Sequence, residues 1–180
     1  MYFLENYYQS VIQYDLINKF QYKNLQNLPK LEKIVLHFSY NNPNIKILAS
    51  SLLSLELITT KRGTLTTAKN SHILLKLRKG NPVGCKVILQ KTLMYHFFTK
   101  LLVDIIPQMK EFKKIDFQSD ILQPVVLPYQ LKNVFAFSEL EQNYNLFNNL
   151  SNLNIIIVTN IMTKKELLFL FNSFKLPTNL

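Results

Sequence analysis

Residues Ile73–Leu89, ILLKLRKGNPVGCKVIL, decide how this chain is read. Apolar and basic residues alternate through Ile73–Lys79 and again through Gly84–Leu89, the two-residue period of strands with one buried face. Between them Lys79, Gly80, Asn81 and Pro82 form a loop with the chemistry of a tight turn. The GNPVG run is not a phosphate-cradling glycine loop, because no Lys-Ser/Thr pair follows it and no helical spacing begins there. The wider segment Leu57–Gln90 is therefore expected to hold two or three strands.

The same segment carries the charge. Between Glu56 and Asp104 stand nine Lys or Arg residues and no acid, so this part supplies +9 of the formal net charge of +10. A solvated face scatters both signs, whereas a one-sign field over a contiguous stretch suits a surface pressed against phosphates. Lys61, Arg62, Lys69, Lys76, Arg78, Lys79 and Lys86 supply cations, while Thr66, Asn70, Ser71 and Asn81 supply short polar contacts. No aromatic residue falls between Leu57 and Met94, which argues against base stacking and favours recognition of folded RNA through its shape and backbone.

Outward from this centre, helices and strands mix without a repeat. Leu4–Phe20 places Leu4, Tyr7, Tyr8, Val11, Ile12, Leu16, Ile17 and Phe20 at helical spacings, an apolar stripe for a core. Leu31–Phe38 (LEKIVLHF) reads as a strand, and Asn42-Pro43 as the cap and first residue of a helix with Ile45, Leu48 and Leu52 on one face. Leu93–Ile106 is a core helix that Pro107 should terminate, and Lys110–Pro128 loses periodicity as a surface loop would. Val134–Phe137 suggests a short edge strand and Leu153–Ile161 a buried one. Thr163 and Glu166 form a capping box for a last helix that ends before Pro177. One α+β domain over residues 1–180 is expected.

Several chemistries are disfavoured. No run approaches the roughly 20 apolar residues that cross a bilayer, so membrane insertion is not expected. A lone Cys85 permits neither an internal disulfide nor a cysteine-based zinc cluster, and reads as a small buried residue. His37, His72 and His96 lack metal-ligand spacing, and no cofactor or catalytic residue is expected. A nucleophilic Cys85 would need a distant His and Asp as partners, which sequence distance neither supports nor excludes. A basic peripheral membrane-binding protein is the alternative reading, although such proteins set their lysines on an amphipathic helix and here they lie in β-like sequence. The 19 Asn, two Arg and absence of Trp are the usage of a very AT-rich gene, and Met1–Asp15 resembles no transit or signal segment; a gene of an organelle genome is expected.

A run from Pro29 to Leu36 (PKLEKIVL) resembles the opening strand of the universal large-subunit ribosomal protein five family. Leu57-Ile58-Thr59, Thr66, Ala68-Lys69, Ser71, the block Lys76–Val87 and Met94-Tyr95 follow that family's central motif in order, and Ile155–Thr159 with Thr163, Glu166 and Phe174–Pro177 look like its C-terminal strand and helix. The resemblance implies a curved, mainly antiparallel sheet with helices packed on one face. It also implies a non-catalytic place in the central protuberance of the large ribosomal subunit, here of a mitochondrion.

The partners it implies are large-subunit rRNA, 5S rRNA where the ribosome has one, P-site tRNA, neighbouring central-protuberance proteins and a protein of the small-subunit head. His37, Lys61, Arg62, Thr66, Lys69, Ser71 and Lys86 would hold rRNA. Asn70, His72, Lys76, Arg78, Lys79, Gly80, Asn81 and Pro82 would form a loop near tRNA. The chain departs from the family pattern at His37, where Asn is usual, at Thr60-Lys61-Arg62-Gly63, where Gly-Gln-Lys-Pro is usual, and at Lys110–Lys114, where Arg-Asp-Phe-Arg-Gly is usual. The first two departures resemble 5S rRNA contacts.

Overall fold

The computed structural model describes residues 3–22, 24–41, 44–74, 76–108, 125–161 and 163–176. It opens with α1 (Phe3–Tyr7), a π-helical segment (Tyr8–Ile12) and α2 (Gln13–Phe20) in unbroken succession. Leu4, Tyr8, Ile12 and Leu16 are buried at four-residue intervals. The wider π turn keeps that spacing in line where an α-helix would let it drift, and it leaves Val11, expected in the stripe, exposed.

Then follow β1 (Leu31–Ser39), α3 (Ile45–Thr59), β2 (Thr64–Thr67), β3 (Pro82–Leu89) and α4 (Lys91–Lys100). A second π-helical segment, Leu101–Ile105, joins α4 to α5 (Ile106–Gln108). The described chain resumes with β4 (Val125–Leu131), α6 (Ser138–Glu141), α7 (Tyr144–Phe147), β5 (Leu153–Thr159) and α8 (Lys164–Ser173). The strands form a five-stranded sheet in the order β2-β3-β1-β5-β4. β2 runs antiparallel to β3. The Tyr40 N–H bond to the Val83 carbonyl, with Gly84 against Phe38, shows the same sense for β3 and β1. The pairs Lys30 with Asn160 and His37 with Asn154 show it for β1 and β5. The expected α+β class with a mainly antiparallel sheet is what the chain adopts.

The chain divides into two compact units. In the first, residues 1–34, 90–127 and 157–180, α1 packs on α4 and α2 on α8. Phe174 is its hub, stacked on Tyr8 at 6.5 Å between ring centroids and edge-on to Phe98 at 5.3 Å. The Tyr8 hydroxyl donates to the Pro29 carbonyl at 2.9 Å, and burial pushes its pKa up to about 12. In the second unit, residues 35–89 and 128–156, α3 packs on β3, α6 and α7. Ser51 and Ser54 lie on the buried side of α3 and satisfy their hydroxyls on carbonyls three residues back, which removes the cost of burying them.

Several expectations are corrected. Leu57-Ile58-Thr59, placed with the strands, is the last turn of α3, because Leu48, Leu55, Ile58 and Thr59 extend one buried helical face. Ile45, expected on that face, is 85% exposed. Residues 73–74 and 76–79 form no named strand: His72 and Leu77 make an isolated bridge, and Ile73 and Leu74 are 93% and 88% exposed. Val134–Ala136 is a 3-10 turn capped by the Asn133 side chain, which accepts from the Phe135 N–H at 3.1 Å. The edge strand lies earlier, in β4, which contains Pro128 of the expected loop; an edge tolerates proline because one side of its ladder is unpaired. Pro107 lies inside the last described turn of its helix, since α5 spans Ile106–Gln108. The Asn42-Pro43 cap, residues 110–124 of the expected loop, and Pro177 lie outside the described residues; Asn44 is the observed N-cap of α3.

The capping box is present as expected: Thr163 accepts from the Glu166 N–H at 3.3 Å, and the Glu166 carboxylate accepts from the Thr163 N–H at 3.2 Å. Thr163→Ala should cost about 1 kcal/mol of unfolding free energy. A Cβ at Gly84 would meet the Phe38 carbonyl, which is backbone and cannot turn away. Gly84→Ala should therefore cost roughly 3 kcal/mol. Urea denaturation of both variants checks this ranking, and equal midpoints would contradict it.

Candidate nucleic-acid interface

The alternation of β1 divides its side chains between two environments. Ile34, Leu36 and Phe38 are fully buried, while Lys33, Val35 and His37 face outward and are half-buried. On β3, Cys85, Val87 and Leu89 are buried and Lys86 is exposed, and the β2 register sets Thr64 opposite Lys86 and Thr66 opposite Gly84. Between Thr66 and Thr67 the register slips by one residue, a bulge that leaves Val83 as the extra residue of β3 and bends the strand end. The outer side of β1–β3 and the start of the following loop thereby enclose a groove of about 480 Å³.

Val35, Phe38, Ala68, Leu77 and Val83 give the groove an apolar floor. His37, Thr66, Lys69, Asn70, His72 and Lys86 bring polar or cationic groups to it, and among the described residues no carboxylate lines it. Burial holds the His37 imidazole below its ordinary pKa. Its Nε2 lies 3.3 Å from Nδ2 of Asn154 on β5.

The remaining predicted residues surround this groove. Ala68 donates to the Asn81 carbonyl at 2.9 Å and accepts from the Gly80 N–H at 3.0 Å, which closes the base of the loop. Gly80 has φ +89°, the left-handed region that glycine tolerates at no steric cost. Beyond that base, His72 and Leu77 exchange backbone bonds at 2.9 and 3.0 Å, and Ser71, Lys76, Arg78 and Lys79 are exposed. Pro82 begins β3. Lys61 is anchored, its Nζ donating to the Ile88 carbonyl at 2.6 Å, and Arg62 is exposed in the turn before β2.

Asn70 and His72, expected only in the projecting loop, thus share the groove with the residues expected to hold rRNA. Sequence reasoning missed Tyr40, which lines the groove, and Asn154, which contacts His37. Asn154 carried a legible signal, being the one polar residue between Leu153 and Val158 at an alternate position of that strand.

The profile of the ribosomal L5 family C-terminus matches residues 82–178. The large ribosomal subunit protein uL5m of Reclinomonas americana is 36% identical over 178 residues, covering 98% of this chain and 97% of that protein. The chain belongs to the ribosomal L5 family. The large ribosomal subunit protein uL5 of Clostridium acetobutylicum is 35% identical over 165 residues, 90% of this chain and 89% of its own length. That of Blochmanniella floridana is 30% identical over 177 residues, 97% and 91%. Proteins of the ribosomal L5 family are structural and not enzymes.

Cys85 fits that assignment. It is fully buried, its Sγ lies 3.1 Å from the Ser51 hydroxyl, and burial raises its pKa, so the reactive thiolate is suppressed. Thiol reagents should label it only after unfolding, and rapid labelling of the native chain would contradict its packing.

The turn at Thr60 explains one departure from the family pattern. Thr60 caps α3 in the left-handed region at φ 55°, ψ 13°, donating its N–H to the Glu56 carbonyl at 2.8 Å. A β-branched residue is strained there, whereas the glycine usual in the family is not. Thr60→Gly should stabilise the ribosomal L5 family fold of this chain by about 1 kcal/mol, read as a raised urea midpoint.

Proposed function

We propose that this chain is a structural protein of the large subunit of a mitochondrial ribosome, encoded in the organelle, whose β1–β3 groove holds rRNA. The observation that carries the reading is a concave surface with an apolar floor, cations and hydroxyls at its polar positions and no carboxylate among the described residues that line it. His37, Thr66, Lys69 and Lys86 in the groove, with Lys61, Arg62 and Ser71 beside it, form the rRNA-binding set. Lys86 and Lys69 suit phosphates, and Thr66 suits a sugar hydroxyl. Membership of the ribosomal L5 family and the likeness to the uL5m of Reclinomonas americana support the assembly and the compartment, as does the AT-rich codon usage implied by 19 Asn and two Arg.

The loop from Asn70 to Pro82 is the tRNA-proximal part of the proposal. Its exposed Lys76, Arg78 and Lys79 project from a base pinned by Ala68, and the Gly80-Asn81-Pro82 turn returns the chain to β3. In this reading the protein belongs to the central protuberance, beside P-site tRNA and the small-subunit head, with 5S rRNA as a further partner where the ribosome contains one. Lys61, Arg62, Lys69, Lys76, Arg78, Lys79 and Lys86 sit on a strand, a turn and a loop, not on an amphipathic helix, which does not favour a lipid surface as partner. Among the described residues no helix is long and apolar enough to cross a membrane.

The chain should co-sediment with large ribosomal subunits and crosslink to their rRNA through the Thr66–Lys86 segment. If about four to six cations neutralise phosphates, log affinity for an rRNA transcript should fall against log salt with a slope of roughly −3 to −5. Lys69→Gln and Lys86→Gln, both at exposed positions, should each reduce that slope by about 1. A salt-independent affinity would remove the reading.

A further inference from the structure

His37 faces outward from β1 into the groove, half-buried, and its Nε2 lies against Nδ2 of Asn154 on β5. The charged and titratable groups around it are nearly all cationic or neutral. On its own strand Lys33 shares its face, β3 contributes Lys86, the chain after β2 contributes Lys69 and His72, and Tyr40 lines the same groove. Thr64 and Thr66 of β2, Asn70, and Asn154 of β5 are neutral. Among the described residues that line the groove there is no carboxylate to balance a positive imidazole.

Burial disfavours the charged form of the imidazole. An RNA phosphate lodged beside Lys69 and Lys86 would favour that form, because an anion stabilises a neighbouring cation. Asn154 accommodates either state: its amide nitrogen donates to Nε2 of the neutral ring, and after a half-turn of the amide its oxygen accepts from the protonated Nε2.

We propose that occupation of this groove by an RNA phosphate is coupled to uptake of one proton from solvent at His37, which then faces the anion as a third cation beside Lys69 and Lys86. The inference rests on the rRNA reading above and adds to it a pH dependence that the Asn usual in the ribosomal L5 family would not confer. The sign follows from linkage. A group whose pKa is higher in the complex strengthens binding at low pH, and that contribution is lost as pH rises through the complex's value.

The test is the affinity of the full chain for a labelled transcript of the large-subunit rRNA from the same genome, at pH 5.5 and pH 7.5 and constant ionic strength. Each unit by which binding raises the imidazole pKa is a factor of ten in affinity, so the native chain should bind about tenfold more tightly at pH 5.5. His37→Asn should abolish that ratio while retaining the salt slope measured at pH 7.5, and His72→Gln, which removes the other histidine of the groove, should leave the ratio intact. An NMR titration of the His37 ring should show its pKa rising when the transcript is added, a readout that needs no variant. A ratio near one with a normal salt slope overturns the proton coupling and leaves the rRNA reading standing, as does a ratio that persists in His37→Asn. No binding at either pH overturns both.

Discussion

The close approach of Gly84 to the Phe38 carbonyl is the constraint on which the rest of the second unit depends. Where β3 meets β1 there is no room for a side chain on Gly84, and the Thr66 hydroxyl lies over the same spot from β2. The three strands are thereby locked in one register. A one-residue slip would exchange their faces, carrying Lys86 toward α3 and Cys85 or Val87 into solvent. Burying an unpaired lysine costs far more than any packing such a slip could recover. The register that completes the core is the one that assembles the groove.

The same alternation explains why a chain so rich in apolar residues presents a basic concavity. The inward positions of β1 and β3 consume Ile34, Leu36, Phe38, Cys85, Val87 and Leu89. Ser51 and Ser54 keep the facing side of α3 small at those points, their hydroxyls already satisfied, and Cys85 settles against Ser51. What remains for the outer side is Lys33, His37, Lys86 and the threonines of β2, an edge strand only four residues long. Short polar edges resist pairing with other chains, and this one borders the groove at the same time.

The elements that sequence made legible are those whose signal is local. The buried β5, the α8 capping box, the core helix from Leu93 and the strand at Leu31 have a period or a hydrogen-bond pair that needs nothing distant to form. The misread ones had a local pattern that tertiary context overrode. Ile73–Lys79 alternates like a strand but has only its own short bridge, so Ile73 and Leu74 stand in solvent. Leu57-Ile58-Thr59 is β-prone in isolation yet completes a face that α3 has been building since Leu48. Val134–Phe137 is apolar enough for a strand, but Asn133 caps it into a turn.

From sequence alone came the acid-free basic segment, the likeness of the Lys76–Val87 block to a ribosomal protein family, the isolation of Cys85 and the α+β class, since charge, motif order and composition are properties of the chain that folding does not alter. Tertiary structure alone decided which of those cations share a cavity. Lys69 and Lys86 are 17 positions apart and His37 is 32 positions before Lys69, yet the bulge at Val83 and the β1–β3 register bring all three to one groove with Asn70 and His72. The identity of His37's partner, Asn154, was likewise beyond the sequence, because strand order is set by how buried faces fit together and no local pattern records it.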